Sequence, residues 1–289
     1  MPEHEHGLQE LLDLIRLENL EVNLFRGQSR DIGTARVFGG QVLAQALLAA
    51  SQTVEGRMVH SLHAYFLRAG DPEAPIVYDV DRSRDGRSFT ARRVVAIQHG
   101  RQIFNLAASF QLPQEGLDHQ FDMPPVPTPD ELGPGQQVSA EELRRAPQKL
   151  QRWYNRFGPF EFHPVDEIDM AHPHPRPPFQ KIWFRLRGEL PGDQVLHRTL
   201  LAYASDFHLV GTATLPHGVS YLQGNLLMAS LDHAMWFHRD CRLDDWLLYD
   251  CDSPSASGSR GLSRGLIYDR AGRLVASVAQ EGMIRVVAS

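Results

Sequence analysis

Asp206 is the residue whose surroundings best suit it to act as a base. It sits near the end of a helix-like run at 197–207, with Leu200, Leu201, Ala202 and Ala204 before it and Phe207 and Leu209 after. A carboxylate among such neighbours loses water, which raises its pKa and strengthens it as a base. The run is equally compatible with an acid that ends the helix and reaches solvent. Ser230 is the candidate hydroxyl, and a covalent role would need an adjacent base. On an unbroken strand His233 falls on the opposite face, Asp232 shares the face of Ser230, and His208 and His217 reach it only through tertiary contact. Otherwise Ser230 is a hydroxyl bonded within its strand. Gln280, in Val278-Ala-Gln-Glu-Gly282, is an amide among apolar residues; if buried, it must find partners, structural or catalytic.

Other chemistries lack their motifs. The sequence has no Gly-x-Ser-x-Gly elbow, Walker loop, His-Glu-x-x-His or dinucleotide fingerprint. His172-Pro-His174 reads as a solvated pair in a proline-rich stretch rather than as metal ligands. No cofactor is expected.

The elements that must position these residues repeat. Residues 227–239 read as one long strand with Ser230, Asp232, Ala234, Trp236 and His238 on one face. Its order Ser-Leu, His-Ala, aromatic-Phe, x-Arg is echoed, in a shorter span, by Val59-His-Ser-Leu-His-Ala-Tyr-Phe-Leu-Arg68. Each is preceded by a largely apolar helix, one entered through Phe38-Gly-Gly40 and running to 50, the other at 197–207. The helix at 40–50 has no acidic residue, so whatever Asp206 does belongs to the second half. Strand-like runs follow at 76–81, 88–98 and 102–111, and again at 246–253, 262–268 and 274–287, with another at 182–187. A helix apolar on all sides needs a wrapper, and a curved antiparallel sheet is the simplest one. Two tandem copies would then pair their sheets across a pseudo-twofold, which removes one exposed edge from each. An amphipathic helix is expected at 7–24, and a helix at 140–156 within a proline-rich connection. The expected organisation is 1–112, an N-terminal unit; 113–178, the connection; and 179–289, a C-terminal unit with the site.

Composition sets the outer bounds. The chain has 289 residues, 42% hydrophobic and 22% charged, ordinary for a globular protein with a sizeable core. A formal charge of −6 argues against nucleic acid and anionic membrane surfaces as partners. Nearly all positive charge is Arg, Lys149 and Lys181 being the two lysines. Cys241 and Cys251 form no disulfide framework and lack zinc-type spacing. No apolar run approaches the roughly 18 residues of a membrane helix, and Val286-Val-Ala-Ser289 is not a peroxisomal address. A cytoplasmic location is expected.

Taken in order, several motifs carry a resemblance. They are Leu24-Phe-Arg-Gly-Gln-Ser29, Val37-Phe-Gly-Gly-Gln41, Val59-His-Ser-Leu-His63 with Tyr65-Phe-Leu-Arg68, Ser88-Phe-Thr-Ala-Arg-Arg93 and Ala108-Ser-Phe-Gln111. The second half adds Tyr203-Ala-Ser-Asp206, Ser230-Leu-Asp-His-Ala-Met-Trp-Phe-His-Arg239, Trp246-Leu-Leu-Tyr249, Ser255-Ala-Ser257 and Val278-Ala-Gln-Glu-Gly282. Across almost its whole length the chain resembles the acyl-CoA thioesterase II family. The resemblance implies an α+β tandem double hotdog, each half an antiparallel sheet wrapped round a central helix. It implies hydrolysis of fatty acyl-CoA to fatty acid and CoA. Asp206, Ser230 and Gln280 fall on the family's acid, hydroxyl and amide, which hold and polarise a water with no acyl-enzyme. It also implies a homo-oligomer, dimer or tetramer. Backbone N–H groups near Phe38-Gly-Gly40 are candidate oxyanion donors. Two alternatives stand beside this reading: a non-catalytic acyl-chain or acyl-CoA binding module, and a 3-hydroxyacyl thioester dehydratase or hydratase using His60 or His63.

Overall fold

The computed structural model describes residues 3–33, 36–133, 151, 158–166, 169, 170, 172–220, 222 and 225–287. The first half runs α1 (Glu3–Ile15), β1 (Leu17–Glu21), β2 (Leu24–Gly27), α2 (Gly39–Ser51), β3 (Met58–Phe66), β4 (Ile76–Asp85), β5 (Phe89–Gln98) and β6 (Arg101–Gln111). A one-turn helix, α3 (Pro129–Leu132), lies in the connection. The second half runs β7 (Phe160–Pro164), β8 (Phe179–Leu186), α4 (Gln194–Ser205), α5 (Leu209–Thr212), β9 (Leu226–Ser230), β10 (Asp232–Phe237), β11 (Leu247–Ser257), β12 (Arg260–Asp269) and β13 (Leu274–Val286).

These strands make one antiparallel sheet in the order β1-β2-β4-β5-β6-β3-β10-β13-β12-β11-β8-β7, with β9 also on β13. The order is a palindrome of the two halves about the β3–β10 seam, where Leu62 pairs with Met235 and Ser61 with Trp236. The expected pseudo-twofold is therefore a property of the topology. The seam joins the two half-sheets into one, so neither leaves an open edge there.

The helices sit inside. In α2, Leu43, Ala44, Ala46, Leu47, Ala49 and Ala50 are fully buried. At about 1.5–3 kcal/mol per buried leucine, such packing outweighs any intrinsic helix propensity. Gln45, the polar residue in the middle of α2, is fully satisfied. Gln45 Nε2 donates to the carbonyls of Leu14 (2.6 Å) and Gln28 (2.9 Å), while its Oε1 accepts the Tyr78 hydroxyl at 2.6 Å. In α4, capped by the Asp193 side chain on Val195 N–H at 2.9 Å, Leu200, Leu201 and Ala202 are fully buried. One apolar core contains both helices and both half-sheets.

Three expectations need correction. The helix read at 7–24 stops at Ile15, and residues 17–27 form the β1–β2 hairpin instead, turning at Val22 and Asn23. Asn23 takes φ 64°, a conformation that Asn tolerates better than most residues. Within the connection, 160–164 forms edge strand β7 on β8. The segment before it also works as a strap: Trp183 Nε1 donates to Pro127 O at 2.9 Å, and Gln120 bonds Gly272 O and Leu274 N at 2.8 and 2.9 Å. Met123, Val126 and Leu132 thereby cover a second apolar cluster of Trp183, Trp246, Leu248, Tyr268 and Leu274. Of the helix read at 140–156, only Gln151 is among the described residues. The third correction, at residue 231, bears on the site itself.

Candidate active site

Where α4 ends, Asp206 is its C-cap residue, partly exposed rather than buried. Its carboxylate meets both halves of the protein. Oδ1 accepts from Gln280 Nε2 at 2.7 Å and lies 3.4 Å from Ser230 Oγ. Oδ2 accepts the backbone N–H of Gly40 at 2.9 Å. The three residues singled out in the sequence are thus brought together, and a fourth group joins them from the first half.

The glycine pair at the start of α2 makes that fourth contact possible. A Cβ on Gly40 would lie 2.3 Å from Tyr203 O, and one on Gly39 would lie 2.7 Å from Asp206 Oδ2. The start of α2 can close on the end of α4 only because both positions lack side chains. The positive end of α2 then faces the carboxylate, an arrangement favoured by the unpaired first-turn donors and the helix dipole. Of the N–H groups near Phe38-Gly-Gly40 read as oxyanion donors, that of Gly40 is occupied by Asp206. The signal was present in the sequence: two adjacent glycines opening an otherwise glycine-free apolar helix.

Ser230 arrives by way of a bulge. Residues 227–239 are not one strand. β9 pairs Ser230 with Gly282, and β10 pairs Ala234 with Ala279, so four steps on one side oppose three on the other. The odd residue falls at Leu231–Asp232 and inverts the inside–outside phase. Ser230 and His233 consequently both face the helices, while Trp236 faces outward at 37% exposure. The expected shared face of Ser230, Asp232, Ala234, Trp236 and His238 does not exist. Asp232 no longer shares the face of Ser230, and its Oδ1 accepts Glu281 N–H at 2.6 Å, closing the bulge. Burial raises its pKa and outweighs the lowering effect of that hydrogen bond.

His233, fully buried, supports Asp206 indirectly. Its Nε2 lies 2.9 Å from Ser205 Oγ, whose own hydrogen goes to Ala202 O at 2.9 Å. His233 is therefore the donor, with the proton on Nε2. Burial pushes its pKa down to about 3, so the ring is neutral at working pH. Tyr249 Oη donates to Ser205 O at 2.9 Å. Together they fix the last residue of α4, next to Asp206. Gln280 is fully buried on β13, and its Oε1 has no hydrogen-bond partner among the described residues. Phe38 stacks on Phe207 at 4.6 Å and meets Tyr203 edge-on at 5.1 Å, giving the site an aromatic wall.

The histidines needed by a dehydratase lie elsewhere. His63 is exposed on the outer sheet face, 5.3 Å from the Trp236 ring, and His60 Nε2 lies 2.8 Å from Ser109 Oγ. The two histidines of the echoed motif are therefore not structural equivalents, since His233 points inward.

Comparison with known proteins agrees with the fold. A family model described as acyl-CoA thioesterase matches residues 170–283, and one described as the acyl-CoA thioesterase N-terminal domain matches residues 27–111. Acyl-CoA thioesterase 2 of Haemophilus influenzae is 42% identical over 279 residues, spanning 96% of this chain and 98% of that protein. Human acyl-coenzyme A thioesterase 8 is 44% identical over 282 residues, spanning 94% of this chain and 88% of its own. The crystal structure of an acyl-CoA thioesterase II from Mycobacterium marinum superposes with a TM-score of 0.78 at 43% identity, covering 96% of this chain and 98% of that one. With two family models that match in tandem and relatives aligned nearly end to end, this chain belongs to the acyl-CoA thioesterase family.

Proposed function

We propose that the chain hydrolyses fatty acyl-CoA thioesters and that Asp206, Ser230 and Gln280 are its catalytic centre. The observation that carries the reading is the convergence of Gln280 Nε2 and Ser230 Oγ on one carboxylate oxygen, at 2.7 and 3.4 Å. Asp206 takes a proton from a water whose oxygen attacks the thioester carbonyl carbon. The tetrahedral intermediate collapses with cleavage of the C–S bond, and the electron pair goes to sulfur. The sulfur then collects the proton held by Asp206. A thiol with a pKa near ~8.5 leaves with little acid assistance, so making water nucleophilic is the demanding step. A positioned base contributes roughly 10²–10⁴-fold to such a step. Gln280 Oε1 accepts from the water and Ser230 Oγ donates to it or accepts from it, which fixes its orientation.

Thiol release from a series of acyl-CoAs tests the reading. The expected result is turnover by the wild-type protein that falls by two or more orders of magnitude in Asp206→Asn. Full activity in that variant would end the proposal. Acyl-CoA binding without thiol release would select the binding module, and an enoyl product without free thiol would select the dehydratase.

An even-numbered homo-oligomer belongs to the same proposal. Tyr65 and Trp236, 58% and 37% exposed on the outer face of the β3–β10 seam, support it. Light scattering on the purified chain measures it. A cytoplasmic location is proposed from Cys241 and Cys251, both free and buried, which fit a reducing compartment.

A further inference from the structure

The pseudo-twofold that relates the halves also exchanges the two ends of the helix pair. Gly40, at the start of α2, touches the end of α4; Leu47 and Ser51, at the end of α2, share a cavity wall with Val195 and Thr199 at the start of α4. The helices are antiparallel, and the cavity lies one helix length, roughly 18 Å, from Asp206. It occupies the place where a symmetric protein would carry a second catalytic centre.

The chemistry there has been replaced. The C-cap of α4 is Asp206, whereas the C-cap of α2 is Gln52, which is exposed. The second residue of α2 is Gly40, whereas the second of α4 is Val195, whose N–H is already taken by Asp193 at 2.9 Å. With no carboxylate at the cap and no open helix start, this end cannot activate water as the other does.

The space remains, at about 290 Å³. At roughly 30 Å³ per water-sized group it holds about ten methylene-sized groups. Leu47, Val54, Met58, Val59, Phe110 and Val195 make most of its wall. Two polar features point to a ligand with a head group. Thr199 is 1% exposed, and its Oγ1 has no hydrogen-bond partner among the described residues. Arg57, also on the wall, donates from Nη2 to the carbonyls of Gly86 and Arg87 at 3.0 and 3.2 Å and has no carboxylate partner among the described residues. Asp85 acts on Arg57 only through space and is bonded to Arg92 instead. An apolar slot with a guanidinium free of a direct ion pair suits an aliphatic chain ending in an anion.

We propose that this cavity is a second, non-catalytic site that binds a medium-chain aliphatic carboxylate, with the chain along Leu47, Val59 and Phe110 and the carboxylate on Arg57. The proposal does not depend on Asp206 being the base. Its ligand has the chemical class of the acid that thioester hydrolysis releases, so the site would sense product at a distance from the chemistry.

The test uses decanoate and the full chain. Calorimetric titration is expected to show a binding event that persists in Asp206→Asn, weakens at least tenfold in Arg57→Gln and disappears in Ser51→Phe, which fills the cavity. Thiol release from acyl-CoA should stay within twofold of wild type in Arg57→Gln and Ser51→Phe. A crystal soaked with 10-bromodecanoate should place bromine in the slot beside Phe110. Loss of the binding event in Asp206→Asn would overturn the proposal, as would unchanged affinity in Arg57→Gln or bromine confined to the neighbourhood of Asp206. Should Ser51→Phe fail to fold, Arg57→Gln and the bromine position decide the matter alone.

Discussion

Gly40 and Asp206, 166 residues apart in sequence, are joined by a 2.9 Å hydrogen bond from the N–H that opens the first central helix to the carboxylate that closes the second. The site is consequently a product of both halves, although all three side chains belong to the second. Neither helix end is complete without the other: one offers unpaired donors and the other an acceptor.

Gly40→Ala tests this junction. The added Cβ would sit 2.3 Å from a backbone carbonyl, which cannot rotate away. Overpacking of this kind costs about 1–3 kcal/mol, and separation of the helix ends would draw the N–H from Asp206. Urea melts should show the loss of stability, and thiol release should fall at least tenfold. Gly211→Ala is the control. Its Cβ would meet nothing within 4 Å inside α5. Replacement of a helical glycine there should stabilise by roughly 0.5–1 kcal/mol with activity intact.

Gln280 should affect turnover rather than substrate affinity. Its amide is fully buried, with Nε2 on Asp206 and Oε1 without a protein partner. In Gln280→Leu, similar in size, the carboxylate loses a donor and the water loses an acceptor. Steady-state kinetics should give a kcat reduced 10²-fold or more, as expected for a group that acts on the attacking water, and a KM within threefold. An increase confined to KM would assign Gln280 to substrate binding instead.

His233 gives the fold a defined pH dependence. Its pKa is held at about 3 by burial, against 6.5 for the unfolded chain. Between these values the unfolded state binds the extra proton, so stability rises with pH. The contribution is complete above about pH 6.5 and is lost progressively as pH falls toward 3, by an amount of the order of a few kcal/mol. Urea midpoints measured at pH 7.5, 6 and 4.5 should decline in the wild type. The decline should be shallower in His233→Gln, whose amide can still donate to Ser205.

Much of this arrangement was legible in the residues. The apolar helices at 38–50 and 197–207 had to be buried, and the echoed strands indicated tandem halves that meet across a seam. Asp206 stood out by type and neighbours, whereas Ser230 and Gln280 were raised above structural readings by the family resemblance. Three features did not follow, for separate reasons. Strand alternation presumes an unbroken ladder, so it placed His233 opposite Ser230; the bulge at Leu231–Asp232 depends on pairing with β13, which no local pattern contains. Leucine spacing through residue 20 mimicked a helix, whereas a turn at Asn23 and pairing with β4 made strands. The Gly40 contact is backbone geometry between distant segments, visible beforehand only as an odd pair of glycines.

The bulge itself makes the final prediction. Asp232 holds it by accepting Glu281 N–H at 2.6 Å, one strand pairing away from the Ser230–Gly282 pair. If this acceptor sets the register that points Ser230 at Asp206, Asp232→Ala should lower kcat about tenfold with little change in KM. On this account the side chain acts through Ser230 rather than on the attacking water or the thioester. Asp232→Asn keeps an oxygen acceptor at the same position and should restore most of the rate. A base at residue 232 would behave oppositely, since the amide would be as inactive as alanine. Comparing the two variants in one thiol-release assay therefore separates a carboxylate that shapes the strand from one that takes a proton, and excludes Asp232 as the base if Asp232→Asn is active.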